Sequence, residues 1–483
     1  MLDIFSTTKG YLIYMNLEAA TNLKAIQLKI QEANVAIEAQ RNSCITGDRK
    51  SLEAFETAMR QHASRLADWI AAEQLQQLLI REDLNFRVQE MFAKRGLKHG
   101  TRTINIRMSG GNQIPFVASY WITYKDDKRK KHNRGFYPAL LLLGIYDHCS
   151  PLLLAEIAQL CVALGSMEEA QRLLEERGIG LDIKTIRNAA KRFSRRARIG
   201  QKHLSHMIFA DDQLKGHRVV ISMDGGRLRT RKKKRGPKTE QGRSHYKTDW
   251  REPKLLIIYV VGENGRIDKK FSPIIDGSLG GPEELYALLW SYLHALGISE
   301  VTEVLFIADG APWIWEQLQA FKCLMALKKC SCKMVELLDM YHAVQHLHEF
   351  GNLKTAWSKK KRTRWVNEQK KNLKQGSIEK LLKALESACR GSKSTKLRRE
   401  LEYFRKNRER MSYAVRKSMH MPIGSGAIES AVRRVINLRL KSPCIFWLED
   451  TANEILLLRA YFKSGRWEQL KTMAYHGGLR EAA

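Results

Sequence analysis

The sequence predicts a multidomain α/β chain in which a mixed sheet with flanking helices carries the chemistry and mostly helical regions precede it. Three stretches lead to that reading. The apolar, β-branched run from Arg218 to Met223 ends on Asp224-Gly225-Gly226, as when a buried strand delivers a carboxylate to a point where a backbone or ligand must come close. The pattern returns from Glu303 to Gly310, where a second apolar strand stops on Asp309 ahead of a glycine. After the loop Pro422-Ile423-Gly424-Ser425-Gly426, residues Ile428, Ala431, Val432, Val435 and Ile436 fall on one helical face, with Glu429 at its edge and Arg433 and Asn437 at the next i+4 steps. Two strand-end aspartates and a glutamate that reaches over the sheet offer only oxygen donors. Such a set suits a hard cation, Mg²⁺ or Mn²⁺, completed by water and phosphate oxygens, and leads to phosphoryl transfer on nucleic acid.

Composition agrees. The 483 residues allow about three domains, and 44% hydrophobic residues suffice for packed cores. With 83 Lys and Arg against 51 Asp and Glu, the formal net charge is +32 and the isoelectric point is near 9.9. That excess fits a polyanionic partner, nucleic acid ahead of a membrane surface. No apolar run approaches the ~18 residues of a membrane-spanning helix and no signal-peptide pattern is found, so a cytoplasmic, nucleoid-associated protein is expected. Eight cysteines are too sparse for a disulfide framework, in keeping with a reducing compartment.

In chain order, residues 1–100 read as a helical hairpin or coiled-coil-like region. Leu23, Ile26, Ile30, Ala33 and Ile37 step by 3 and 4, and Leu52, Phe55, Met59, His62, Leu66 and Trp69 repeat the step after a loop around Thr46-Gly47-Asp48. A dimer contact and a monomeric helical bundle both fit. His62 and Arg65 form an HxxR pair, but His62 lies on the apolar seam. Residues 101–149 change to short β-like runs around the turn Ser109-Gly110-Gly111-Asn112, with Phe116 to Tyr124 as the next strand and a basic loop from Lys125 to Arg134. The region lacks paired cysteines, so a small hairpin without zinc is expected. Residues 150–200 carry three helical segments, Pro151 to Leu164, Ser166 to Arg177 and Asp182 to Arg195, with Ser150 and Ser166 as starts. The third has the small, basic face of a recognition helix in a helix-turn-helix, from which Lys184, Arg187, Lys191 and Arg192 would reach DNA. An ordinary three-helix unit with solvent-facing charges is the alternative.

Residues 215–350 form the first part of the core. After the Asp224 strand, Gly225 to Lys254 holds 12 Lys/Arg against 3 Asp/Glu, and Arg227, Arg229, Arg231, Lys232, Lys233, Lys234 and Arg235 within it are expected DNA contacts. Leu255 to Val261 and Ile267 to Ile275 read as strands joined by the turn Glu263-Asn264-Gly265. A helix from Pro282 to Leu296, the Asp309 strand, a helix from Pro312 to Leu327 and a fifth strand from Met334 to Leu338 follow. Three sequential strands and then alternating helix and strand is the order of an RNase H-like fold. Residues 351–420 interrupt it with a basic helical insertion, in which Lys354 to Lys417 holds 22 Lys/Arg against 6 Asp/Glu. Residues 421–483 return to the core as C-terminal helices, with Arg433 a further candidate for DNA contact. The two basic regions flank the three acids in sequence.

Assembled in this way, the chain resembles bacterial insertion-sequence transposases of the DDE, RNase H-like superfamily, most closely the ISKra type. The matching motifs are Ser222-Met223-Asp224-Gly225-Gly226-Arg227, Ile307-Ala308-Asp309-Gly310-Ala311-Pro312-Trp313-Ile314-Trp315 and Ile423-Gly424-Ser425-Gly426-Ala427-Ile428-Glu429-Ser430, and they cover roughly Arg218 to the end. The resemblance implies that Asp224, Asp309 and Glu429 hold two catalytic Mg²⁺ (or Mn²⁺) ions. It implies cleavage and strand transfer on double-stranded DNA, both element ends and target, by a homodimer or larger assembly with no membrane partner. Asp339-Met340-Tyr341-His342 is similar to a D-x-x-H motif of some such enzymes, which implies active-site support by Asp339 and His342.

Other readings stand beside it. An RNase H-like structure-specific nuclease would cut without joining, and a transposase-derived regulator would bind DNA without cutting. Taken singly, Asp224 could form a turn, Asp309 could cap the helix near Pro312, and Glu429 could be a surface glutamate. Trp313 and Trp315 could stack on an unpaired base or pack in the core. Cys330, Cys332, His342 and His346 could hold zinc, although Cys-x-Cys is a poor spacing for it.

Overall fold

The computed structural model describes residues 24, 27–39, 41–42, 51–124, 135–208, 213–240, 242, 244–328, 332–441 and 445–481. The chain divides into two compact units, Met1–Gly200 with Lys471–Ala483, and Gln201–Leu470. The expected loops around Thr46 and from Lys125 to Arg134 lie outside the described residues, as do Leu23 and Ile26.

In the first unit, residues 27–39 are helical and α1 (Ser51–Leu79) and α2 (Glu82–Phe92) precede a three-stranded antiparallel sheet of β1 (Gly96–Arg107), β2 (Gln113–Thr123) and β3 (Gly135–Phe136). β1 starts inside the stretch expected to be wholly helical; after buried Gly96 its first half is exposed and shows no apolar alternation, and Ile104 and Ile106 are its buried apolar side chains. The expected turn forms between Met108 and Asn112, with Gly111 at φ +98°, a conformation that favours glycine. Buried Asp68 of α1 accepts the N–H groups of Gly110 (2.8 Å) and Asn112 (3.1 Å). Phe92, Ile106, Phe116, Trp121 and Leu140 lie in the core that joins helices and sheet.

After α3 (Pro138–Leu142) come the three helices read from the sequence, α4 (Pro151–Ala163), α5 (Met167–Glu176) and α6 (Ile183–Ile208). Both serine caps are in place: Ser150 Oγ accepts from Leu153 N and Ser166 Oγ from Glu169 N. α6 runs past the expected end near Arg195, since nothing between there and Ile208 breaks the helix and Ala197 and Gly200 stay buried.

The second unit is a mixed α/β body built on five strands in the order β10-β9-β4-β7-β8. β4 (Arg218–Gly225) runs antiparallel to β7 (Lys254–Val261), and β7 antiparallel to β8 (Ile274–Ser278). On its other edge β4 pairs in parallel with β9 (Glu303–Ala308), and β9 with β10 (Met334–Leu338). Every residue of β9 is buried, so both faces of the sheet are covered. The strand expected at Ile267 to Ile275 lies later, at Ile274–Ser278; Ile267 makes only an isolated bridge to Val261. Between β4 and β7 the basic stretch is itself ordered as a two-stranded ribbon, β5 (Leu228–Lys238) and β6 (Ser244–Arg251), so the expected three-strand meander contains an inserted hairpin.

Helices α7 (Pro282–Ala295) and α8 (Pro312–Leu327) separate β8, β9 and β10 as expected. After α9 (Met340–Leu353), the basic insertion forms α10 (Lys359–Lys374), α11 (Ile378–Cys389), α12 (Thr395–Lys406) and α13 (Tyr413–Ser418). The chain returns through α14 (Gly426–Val432), a π-helical turn at Arg433–Asn437 and α15 (Glu449–Lys463), and ends in α16 (Trp467–Glu481), whose last part belongs to the first unit rather than to the core. Among the described residues no helix is long and apolar enough to cross a membrane.

Candidate metal centre

Strand register brings the predicted acids to one end of the sheet. Ser222 pairs with Ile307 across the parallel β4–β9 ladder, and two residues further on each strand reaches an aspartate, Asp224 and Asp309. Leu338 pairs with Ala308, so Asp339 follows directly at the end of β10. Three adjacent parallel strands therefore finish on carboxylates at their C-terminal ends, the place where open α/β sheets bind ligands. Glu429 arrives from above: α14 packs on β4 and β7, buries Ile428, Ala431 and Val432, and leaves Glu429 exposed.

Asp339 holds this arrangement together. Its buried carboxylate accepts from Tyr341 N (2.5 Å) and His342 N (3.0 Å), capping α9, and its second oxygen accepts from both Ser425 N (2.5 Å) and Ser425 Oγ. Met340 N donates to Ile423 O at 3.0 Å. The loop that opens the Glu429 helix is thus tied to the end of β10. Ser425 Oγ also lies 3.4 Å from Glu429 Oε1, and His342 Nε2 is 3.8 Å from the same oxygen. Potential ligand atoms of Asp339, His342 and Glu429 all lie within 4.8 Å of one another. Four donors already occupy Asp339, so it fits a positioning role.

Asp224 is the perturbed acid of the set. Burial pushes its carboxyl up to about 6, the negative charges of Asp309 and Glu429 push the same way, and the Gly225 N–H (2.7 Å) and His342 oppose them. Asp309 accepts from Ala311 N at 3.0 Å, and its backbone carbonyl accepts from Trp315 Nε1 at 2.7 Å. Gly310 is required by packing: a Cβ there would collide with the ring of Tyr403 on α12. Tyr403 is in turn stacked on His346, which pairs with Glu400 at 2.7 Å.

Burial first, and then the like charges of Asp309 and Glu429, therefore act together on Asp224. Among the described residues the ligand atoms that lie close together near these strand ends are those of Asp339, His342 and Glu429; neither Asp224 nor Asp309 is in that grouping. Sequence reasoning missed two contributors, Ser425 and Tyr403. Ser425 stood in plain view inside Gly424-Ser425-Gly426, whereas Tyr403 comes from the insertion and left no local signal beyond the glycine that makes room for it.

The remaining candidates fall as follows. Trp315 is buried under the Arg410 guanidinium (4.2 Å to the ring centre) and packs, while Trp313 is half-buried beside Lys254 (5.4 Å). Cys330 lies outside the described residues, and the two groupings of potential ligands among the described residues contain no cysteine. Lys184 is exposed and Arg187 and Lys191 half-buried on α6, but Arg192 is engaged by Asp147 at 2.7 Å, which also binds Arg196 at 2.8 Å. Arg227, Lys232, Lys233, Lys234 and Arg235 are exposed and Arg229 and Arg231 half-buried on the hairpin; Arg433 is exposed next to Glu429's helix. His62 and Arg65 sit on α1 in the other unit from the acids. Compared with protein-family models, curated proteins and solved structures, the chain finds no match.

Proposed function

We propose that the chain is a DDE-type DNA transposase, and that its five-stranded sheet is an RNase H-like core. In chain order the sheet runs third, second, first, fourth, fifth strand, with the first three antiparallel and the last two parallel to the first, and this topology supports the fold reading. The observation that supports the function is that Asp224 and Asp309 follow paired positions of adjacent parallel strands, and that burial and the negative charges of Asp309 and Glu429 raise Asp224 to about 6; the compact ligand groupings among the described residues place Glu429 with Asp339 and His342 and include neither Asp224 nor Asp309.

In this reading Asp224, Asp309 and Glu429 would hold Mg²⁺ or Mn²⁺, which when bound would supply activation of the attacking oxygen and charge neutralisation at the scissile phosphate. The chain's own part is positional. Asp339 and Ser425 fix the Glu429 helix, His342 Nε2 stands 3.8 Å from the Glu429 carboxylate, and the basic surfaces draw in the DNA backbone. The substrates are the ends of the chain's own mobile element and a target duplex, and pairing two ends calls for a homodimer or larger assembly on DNA.

The test is an assay of the purified chain with Mg²⁺ or Mn²⁺ on a plasmid carrying the DNA that flanks its gene. Cleavage at flanking repeats with joined products, abolished by Asp224→Asn while DNA binding persists, is the expected result. Cutting without joining would replace transposase by nuclease, and an Asp224→Asn chain that still cuts would remove Asp224 from the site.

A further inference from the structure

The ribbon β5–β6 is organised as more than a basic loop. Register places Arg229 opposite Trp250, Arg231 opposite Thr248 and Lys233 opposite Tyr246. Paired residues share a face, so Arg229, Arg231, Lys233, Thr248, Tyr246 and Trp250 line one side. The other side carries Leu228 and Thr230, both fully buried at the root of the ribbon, with Arg251, Asp249, Lys232 and Lys247. Basic residues stand on both sides, and the Trp250 and Tyr246 rings share the first.

On that face the rings and guanidinium groups interleave. Arg227 and Arg229 flank the Trp250 ring at 5.1 and 5.8 Å, Arg229 also lies 4.6 Å from the Phe446 ring, and Arg231 is 5.8 Å from Tyr246. Trp250 nevertheless keeps 49% of its surface exposed and Tyr246 46%. The ribbon is held firmly at its base: Arg231 N donates to Trp447 O (2.8 Å), Trp447 N donates to Arg229 O (2.9 Å), and Arg251 pairs with Glu449 at 3.1 Å. It also starts at the candidate centre, since Arg227 follows Asp224 by three residues and the ribbon leads back into β7 at Lys254, which pairs with Gly225.

Point charges suffice to grip a duplex, whose bases are stacked inside. Half-exposed aromatic rings alternating with arginines on a rigid ribbon supply something else, π faces for unpaired bases and cations for the phosphates between them. We propose that this face of β5–β6 binds an unpaired DNA strand, with bases stacked on Trp250 and Tyr246, next to the acidic centre. The inference rests on the nucleic-acid reading of that centre and adds its substrate form: DNA opened at the cut rather than closed duplex.

The experiment uses the full chain in EDTA, so that no cutting occurs, with a labelled 20-nucleotide oligothymidine and a 20-base-pair duplex as probes. Trp250→Ala and Tyr246→Ala should each weaken single-strand binding roughly ten- to a hundredfold, the effect of removing one stacking ring, and leave duplex binding within about twofold; Trp250→Phe should retain most of the affinity. The unmutated chain should also quench a 2-aminopurine base placed in the strand, a reading that needs no variant to fold. Equal losses on both probes, no loss on either, or unquenched 2-aminopurine would overturn the proposal. Metal-dependent cutting is read separately, so its absence alongside selective strand binding would count against the transposase and leave the ribbon's role standing.

Discussion

Replacing Asp339 by asparagine tests whether the acidic centre is assembled through the tether to Ser425. The asparagine keeps one oxygen, which goes on accepting from the Tyr341 and His342 N–H groups and preserves the cap of α9. Its amide nitrogen then faces Ser425 N, a buried donor that loses its acceptor. One charge-assisted hydrogen bond disappears and one donor is stranded, a loss of about 2–4 kcal/mol. Ser425→Ala removes only the hydroxyl bond and should cost about 1–2 kcal/mol. Because both changes act on one tether, the double variant should cost less than the sum by at least ~0.5 kcal/mol. Denaturant unfolding measures the three values. In the cutting assay Asp339→Asn should lower kcat and raise the Mn²⁺ concentration needed for half-maximal rate while KM for DNA holds, because the Glu429 helix is displaced and the DNA surfaces are not. An Asp339→Asn chain that loses stability yet cuts at the full rate with unchanged Mn²⁺ dependence would refute the tether as a positioning device.

Two further changes probe buried charge. With metal chelated, Asp224 titrates near 6 rather than at 3.8; the folded state holds this proton more tightly than the unfolded one, so the contribution to stability is full at low pH and is lost as pH rises from 3.8 through 6. Asp224→Asn should therefore match the parent below about pH 4 and melt about 3–6 °C higher above pH 6, a gain of ~2 kcal/mol after discounting the ~3 that 1.36 kcal/mol per unit implies; a difference independent of pH would contradict the assignment. Arg416 donates to both Glu303 oxygens at 3.0 Å with both side chains buried, leaving Glu303 only the exposed Lys333 at 3.4 Å when it is removed. Arg416→Ala should cost about 3–5 kcal/mol in denaturant unfolding, and adding Glu303→Gln should recover part of it; a loss under ~1 kcal/mol would show that solvent reaches the pair.

What was legible in the sequence was what short-range pattern encodes. The placement of Asp224 and Asp309 at strand ends was readable because a strand buried on both faces writes an unbroken apolar run that stops at its end, and that of Glu429 on a helix because the helix buries one clean stripe. The serine caps of α4 and α5 were readable for the same local reason. The β5–β6 ribbon was not, since its alternation sets Arg and Lys against Tyr, Trp and Thr rather than apolar against polar, and composition alone reads it as a charged loop. β1 was hidden likewise by its exposed first half. Tyr403 and the Asp339–Ser425 tether were illegible on principle: each is a contact across a long stretch of chain, created by folding of the insertion and of the loop before α14.

The charge distribution and the acidic centre support each other physically. Residues 225–254 and 354–417 carry net charges of +9 and +16 out of +32, and surfaces of that sign concentrate a phosphate backbone around themselves. The carboxylates of Asp224, Asp309 and Glu429 would repel the same backbone at the point of closest approach. A divalent cation resolves the conflict, because it is attracted by the acids and can share phosphate oxygens with them. Without it the acids are a cost on both counts: they destabilise the fold through Asp224 and oppose the partner that the rest of the surface recruits. Under the proposed function the arrangement would be favourable in every part only when acid, cation and phosphate meet at the ends of β4 and β9, and that mutual dependence is the physical argument for proposing phosphoryl transfer there.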